Sequence, residues 1–227
     1  MEIKKQFYIR HATEEDMDGI MRAEKDAWPN GLRANRDEFE SRLRIFSQGF
    51  FIACIKVDED TENIVGISTS EIINYDTSMA LCSWKEVTDN GYIEDTHDEN
   101  GNALYIVSVG VSEKFRGMGI GTNIINAQKQ LSIEKNLDYI VAGARIMRYK
   151  TWSEKEENKN KTVMDYVFTT NEKCMPIDPI LRFFFKMGFR MPSEKIEKSR
   201  KYIIPHYMEG DSESKEYGAI LAYNNKG

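Results

Sequence analysis

Cysteine is scarce: Cys54, Cys82 and Cys174 are the three in 227 residues, without CxxC spacing. That removes the basis for a disulfide-stapled scaffold or a cysteine zinc site and leaves reduced packing residues. Histidine is as sparse, His11, His97 and His206, and scattered, so no metal site is expected. No apolar run approaches the roughly 20 residues that span a bilayer, so no membrane partner is expected. The N-terminal MEIKKQFYIRHATEED lacks the apolar core of a signal peptide, which predicts a cytoplasmic protein. No repeat or low-complexity linker divides the chain, and one domain over 1–227 is the expectation. Positive charge is in deficit too: 31 Lys+Arg against 37 Asp+Glu leave −6. That counts against a nucleic-acid partner and mildly favours a cationic or amine-bearing small molecule. Nothing here fixes the oligomeric state, and a homodimer stays open.

What the chain does have is concentrated in residues 104–145. An apolar strand over 104–111 runs into a short polar turn that ends in Arg116-Gly117-Met118-Gly119-Ile120-Gly121. A helix with Ile120, Ile124, Ala127 and Leu131 on one face follows, then a second apolar strand over 139–142. Three glycines within five positions, where a helix begins, let main-chain N–H groups approach a phosphate at the positive end of the helix dipole. A P-loop would need GxxxxGK[ST], and no lysine follows Gly121. A strict Rossmann GxGxxG fails at Thr122, and Ala144 and Arg145 stand where its acidic ribose ligand would follow the next strand. The pattern [R/Q]xxGx[G/A] matches in full.

Around this centre the patterning predicts a strand at 8–10, a helix capped by Thr13 and stopped by Trp28-Pro29-Asn30-Gly31, and a helix over 36–46. A hairpin of 50–57 and 64–73 follows. Asp178-Pro179 opens a last helix, Gly188 closes it in the left-handed conformation, and Phe189 folds back onto it. Strands at 201–204 and 217–223 end the chain. Two stretches exceed ordinary connections: residues 75–102 as a functional flap or partly mobile segment, and 146–177 as a surface helix or loop long enough to close over a ligand. The acidic run at 94–101 lacks the glutamate and flanking helices of an EF-hand, so a solvated turn is expected there.

The glycine turn in its strand–helix setting resembles the acetyl-CoA signature of the GNAT (GCN5-related N-acetyltransferase) superfamily. The order strand, helix, helix, hairpin, strand, signature helix, strand, helix, strand is similar to that family along nearly the whole chain. Phe184-Phe185-Lys186-Met187-Gly188-Phe189 sits where the family has Y-x-x-x-G-F. THDENGNALYIVSVGV, DPILRFFFKMGFR and IIPHY…DSESKEYGAILAY resemble GNAT domains that in some proteins precede a carbon–nitrogen hydrolase domain. The 227 residues stop after the last strand of that pattern, so the resemblance implies no hydrolase activity for them.

The resemblance implies an α/β (α+β) GNAT fold: a mixed central sheet of about seven strands, helices on both faces and two long insertions. It also implies transfer of an acetyl group from acetyl-CoA, a cosubstrate, to an amine acceptor. Gly117, Met118, Gly119, Ile120, Gly121 and Thr122 would hold the pyrophosphate by their N–H groups, with Arg116 bordering it. Val109, Gly110 and Val111 would carry the pantetheine arm like an added strand, and an N–H near Val109 would polarise the thioester. A lysine-like amine, pKa ~10.4, is protonated at neutral pH, a cost of roughly 4–5 kcal/mol that a base or water chain must offset.

Proton transfer is where the sequence departs from the pattern. The family tyrosine that protonates the leaving thiolate is Phe184 here, which can pack on the cofactor arm and give no proton. Tyr166, Tyr202, Tyr207 or water would replace it, or the thiolate (free thiol pKa about 8.5) would leave unaided. Along 104–111 the one polar side chain is Ser108; Glu71, His97 and Asp98 are the nearest candidate bases. Trp84, Tyr149, Trp152 and Tyr166 are candidates to wall an amine pocket by cation–π contact, with packing of the insertions as the simpler role. Two other readings stay open: a non-catalytic acyl-CoA-binding or regulatory module, and a transferase for a longer acyl-CoA.

Overall fold

The run FIACI within Phe51–Lys56 (β2) is buried at every position, which requires cover on both faces of its sheet. A computed structural model describes residues 6–58, 61–78, 82–193 and 200–226 and shows what the covers are. Ile52 and Cys54 face Met17, Ile20 and Ala23 of Met17–Ala27 (α1) and Phe39 of Arg36–Phe46 (α2). Ala53 and Ile55, pointing the other way, pack with Ile120 and Ile124 of Ile120–Glu134 (α4). The period-2 alternation of the strand thus sorts two helical layers.

The chain divides into two compact units, 1–74 with 88–137, and 75–87 with 138–227. In the first, Phe7–His11 (β1), β2, Glu62–Ile73 (β3) and Ala103–Val111 (β4) pair antiparallel in sequence order. Two bulges break the ladder. Ala53 pairs with Gly66 and Cys54 with Ile64, so Val65 is extra on β3. Thr69 pairs with Ser108 and Ser70 with Ile106, so Val107 is extra on β4. Such an insertion bends the strand and re-aims the side chains beyond it. Under α4, the buried Gln128 amide is fully used: it accepts from Ser70 Oγ at 2.9 Å and donates to Gly49 O at 3.0 Å and Ser68 Oγ at 3.1 Å.

In the second unit, Tyr139–Arg145 (β5) pairs antiparallel with Gly218–Asn224 (β7), which pairs with the two-residue Ile203–Ile204 (β6). Tyr149–Ser153 (α5) and Val163–Phe168 (α6) lie in the second insertion, so of the expected surface helix or loop the helical alternative holds, as two short helices. The reason is aromatic packing: Tyr149 lies 5.5 Å from Tyr166 and 5.7 Å from Tyr217, and Trp152 lies 5.1 Å from Tyr166. Pro179–Lys186 (α7) has the expected ends. Asp178 Oδ1 accepts from the N–H groups of Ile180 and Leu181 at 2.8 and 3.1 Å. Gly188 has φ +87°, and Phe189 stacks on Phe184 at 5.1 Å.

The first insertion is split: 75–87, with Trp84–Val87 (α3), belong to the second unit and 88–102 to the first. Its residues 79–81 and part of the 58–63 turn lie outside the described residues. Of the strand expected at 201–204 only its last two residues are extended, since Arg200–Tyr202 form a 3-10 turn. The seven strands and their helices form the mixed α/β architecture that the resemblance implies. Among the described residues no helix is long and apolar enough to cross a membrane.

Candidate active site

The glycine turn follows β4 after a short 3-10 turn and takes backbone conformations that non-glycine residues resist. Gly117 has φ +82° and Gly119 φ +86°, both left-handed, and nothing lies within 4 Å of where a Gly117 Cβ would be. The turn is therefore glycine-rich for backbone conformation, with open space above it. Gly119 is the N-cap of α4 and offers no side-chain acceptor. Its carbonyl accepts from Asn123 N at 3.0 Å and Asn123 Nδ2 at 2.9 Å. The N–H groups of Ile120, Gly121 and Thr122 meet no protein acceptor among the described residues. A 15-residue helix adds its dipole, so the turn is a ready anion site. Arg116, Gly117, Met118, Gly119 and Thr122 are exposed, while the Ile120 side chain is core and can lend its N–H alone.

Arg116 is not a loose surface charge. Its Nε donates to Val111 O at 3.1 Å and its Nη2 to Ala27 O at 2.9 Å, bracing the turn against the end of β4 and the end of α1. That end of α1 presses on the strand: a Cβ on Gly110 would lie 2.9 Å from both Ala27 Cβ and Trp28 Nε1. β4 itself changes along its length. Ala103–Val107 are buried, and from Ser108 to Val111 the strand is half-exposed. The change falls at the Val107 bulge. Val109 and Val111 turn their side chains to the α4 core, which leaves their main chain as the functional part.

On the face of β3 under α1 and α2 lies a polar cluster that the sequence reading largely missed. Arg42 of α2, 1% exposed, donates from Nε to Gly91 O at 2.6 Å and from Nη1 to Thr69 Oγ1 at 3.4 Å. Thr69 Oγ1 lies 3.1 Å from Ser108 Oγ. Burial pushes the Arg42 pKa down, opposed by Glu38, Glu24 and Glu71, yet a guanidinium stays charged. Glu71 is fully buried; Thr96 Oγ1 donates to its Oε2 at 2.7 Å, and its Oε1 is buried with no hydrogen-bond partner among the described residues. Burial pushes its pKa up to about 8, against the Thr96 hydrogen bond and Arg42. Glu24 accepts the Ala34 N–H at 2.9 Å and is likewise pushed up to about 7 by burial. One signal was visible in advance: Ser68-Thr69-Ser70-Glu71 is four polar residues running through an otherwise apolar strand.

The remaining candidates are bound into structure. His97 Nδ1 accepts the Ile72 N–H at 3.1 Å, its ring stacks on Phe46 at 4.7 Å, and burial lowers its pKa. Asp98 accepts the Asn100 N–H at 2.9 Å within the expected turn. In the second unit, Tyr166, 1% exposed, donates its hydroxyl to Asp178 Oδ2 at 2.8 Å; burial and then Asp178 raise its pKa. Its proton thus serves the α7 cap. Tyr202 donates to Thr77 O, and Tyr207 lies under the glycines of β5 and β7. Phe184 is 3% exposed between Phe183 and Phe189. Tyr149 and Trp152 already carry Lys215 and Lys161 over their rings at 5.5 and 5.6 Å, and Trp84 is half-buried.

Comparison with known proteins decides the family. Residues 17–146 match the family model described as Acetyltransferase (GNAT) family. The chain belongs to the GNAT acetyltransferase family. It is thereby an enzyme of the acyltransferase class, and acyl-CoA is the donor that class uses. Two Bacillus subtilis proteins are similar over nearly all of it. "Probable hydrolase YhcX" is 31% identical over 98% of this chain, which spans 39% of that protein's length. "Uncharacterized N-acetyltransferase YkwB" is 27% identical over 96% of this chain and 88% of its own. Among solved structures, the loading GNATL domain of CurA from Lyngbya majuscula superposes with a TM-score of 0.76 at 23% identity. It covers 96% of this chain and 98% of that one. The GphF GNAT-like decarboxylase in complex with isobutyryl-CoA gives 0.71 at 22% identity, with the same coverage. At these identities the likeness is one of fold.

Proposed function

We propose that this chain is an N-acetyltransferase that moves the acetyl group of acetyl-CoA to a primary amine of a small molecule or peptide, by direct attack in a ternary complex. The observation that carries the reading is the glycine turn, with the free N–H groups of Ile120, Gly121 and Thr122 next to the half-open end of β4. Gly117 to Thr122 take the pyrophosphate and Arg116 fixes the turn. Val109, Gly110 and Val111 lie along the pantetheine arm, and an N–H near Val109 polarises the carbonyl. The amine nitrogen attacks the thioester carbon, the C–N bond forms and the C–S bond breaks. Sulfur leaves with the bonding pair and is protonated, and the amine loses its proton to a base or water. The net charge of −6 favours a cationic acceptor over nucleic acid, and the protein would act in the cytoplasm.

Two other readings share the cofactor site. A non-catalytic acyl-CoA module is favoured by Phe184 in place of an acidic hydroxyl. A different acyl donor is favoured by the likeness to GNAT-like domains, one described as a decarboxylase in complex with isobutyryl-CoA. Free-thiol release from acetyl-, isobutyryl- and malonyl-CoA with an amine panel separates them. Thiol release from acetyl-CoA that requires an amine is the expected result. Binding without turnover supports the module, and carbon dioxide release from malonyl-CoA without amine supports decarboxylation.

A further inference from the structure

A hydroxyl proton has a direction, and here the fold fixes it. Thr69, 1% exposed, has two polar neighbours for its hydroxyl among the described residues: Arg42 Nη1 at 3.4 Å and Ser108 Oγ at 3.1 Å. A guanidinium has donors and no acceptor, so Thr69 Oγ1 must accept from Arg42. The Thr69 proton then has Ser108 Oγ as its acceptor among the described residues. Turned the other way, Ser108 would donate inward and the Thr69 proton would be buried without a partner among the described residues, which is the costlier arrangement. The chain therefore runs Arg42 N–H to Thr69 O–H to Ser108 O–H. That leaves the Ser108 proton free to turn away from Thr69, on a residue where β4 is half-exposed.

The location adds to this. Ser108 directly precedes Val109 and follows the Val107 bulge, which sets Ser108 opposite Thr69. The buried guanidinium behind the pair is costly to bury. Besides Thr69 and Gly91 O, it has Glu38 at 3.8 Å and the Phe39 ring at 5.1 Å. Its charge polarises the two hydroxyls in a low-dielectric setting, where hydrogen bonds in a chain strengthen one another.

Resting on the acyl-transfer reading above, we infer that the Ser108 hydroxyl is a catalytic hydrogen-bond donor to the thioester carbonyl oxygen as negative charge develops on it. Thr69 and Arg42 are the positioning residues that aim it. No proton leaves Ser108: the C–N bond forms, the oxygen gains charge and holds the Ser108 hydrogen bond, and the charge returns as the C–S bond breaks. The donor adds to the main-chain N–H near Val109; the proton for the leaving thiolate comes separately, from the attacking amine by way of a base or water.

The test is a double-mutant cycle on steady-state kinetics with acetyl-CoA and the best amine of the panel. Ser108→Ala should lower kcat about 10²-fold, the range for one lost oxyanion donor, with KM for acetyl-CoA within about threefold. Thr69→Val, nearly isosteric, should lower kcat in the same way, and Thr69→Ser should restore it. Because Thr69 acts through Ser108, the Ser108→Ala/Thr69→Val double variant should be no slower than Ser108→Ala. Multiplying losses, or an unchanged kcat in Ser108→Ala with CoA affinity intact, would overturn the inference while leaving the transferase reading in place. No turnover by the wild-type protein with any donor removes the reading and the inference with it. Thermal melting with and without CoA checks that each variant folds and binds.

Discussion

The residues hardest to read in advance are those whose role depends on what lies behind them. Arg42 sits in RDEFESRLRIF as one of three arginines, and nothing in the helical pattern marks it as the buried one. Thr69 and Glu71 belong to a polar run in a central strand, and that anomaly was legible; its partners on α2 and at Thr96 were not, because they come from tertiary packing. Glu71 gives a stability prediction. Burial pushes its pKa up to about 8, above the unfolded value of ~4.3. The folded state therefore binds this proton more tightly than the unfolded state. Its stabilising effect is complete below about pH 4.3 and is lost as pH rises through about 8. Glu71→Gln keeps a neutral, hydrogen-bonding side chain. Its advantage over wild type in urea unfolding should therefore grow from pH 5 to pH 9, by at most about 1.4 kcal/mol per pH unit. A difference flat across that range would mean Glu71 is not held protonated.

Elements read more easily where their ends carry chemistry of their own. The α7 boundaries were legible because Asp178, Pro179 and Gly188 each perform a local task. The pairing of α5 and α6 was not, since short charged segments gain order from aromatic contacts elsewhere in the unit. Asp178 shows the coupling. It caps α7 through Ile180 and Leu181 and accepts from Tyr166 of α6. Asp178→Ala loses a cap and leaves the Tyr166 hydroxyl buried without that acceptor. It should cost roughly 2–4 kcal/mol in urea unfolding, against about 1 kcal/mol for Tyr166→Phe. Equal, small losses in both would show that the cap and the hydrogen bond contribute little. The bulge at Val107 was invisible to the alternation of LYIVSVGV, which reads as a regular strand. A bulge changes register with the partner strand, and register is a property of the pair.

At the scale of the whole chain, the order of strands, helices and the glycine turn was legible almost throughout, because each element carries its own periodicity or end signal. What the sequence left open is the proton chemistry. The proposed Arg42–Thr69–Ser108 line bears on the thioester carbonyl and gives up no proton, so proton transfer stays with a base or water. The match to YhcX covers 39% of that protein, so activity of a longer protein would add to the acyl-CoA chemistry proposed here. All of this depends on the glycine turn as the place where the donor's phosphates are held. Calorimetric titration of CoA into the wild-type protein and Gly119→Glu tests it most directly. The substitution forces a side chain into φ +86° and sets a carboxylate beside the phosphates, against both backbone conformation and charge. One CoA per chain in the wild type, with affinity reduced at least about 10²-fold in a folded Gly119→Glu, is the predicted result. Equal binding by the two proteins, or no binding by the wild type, would contradict it.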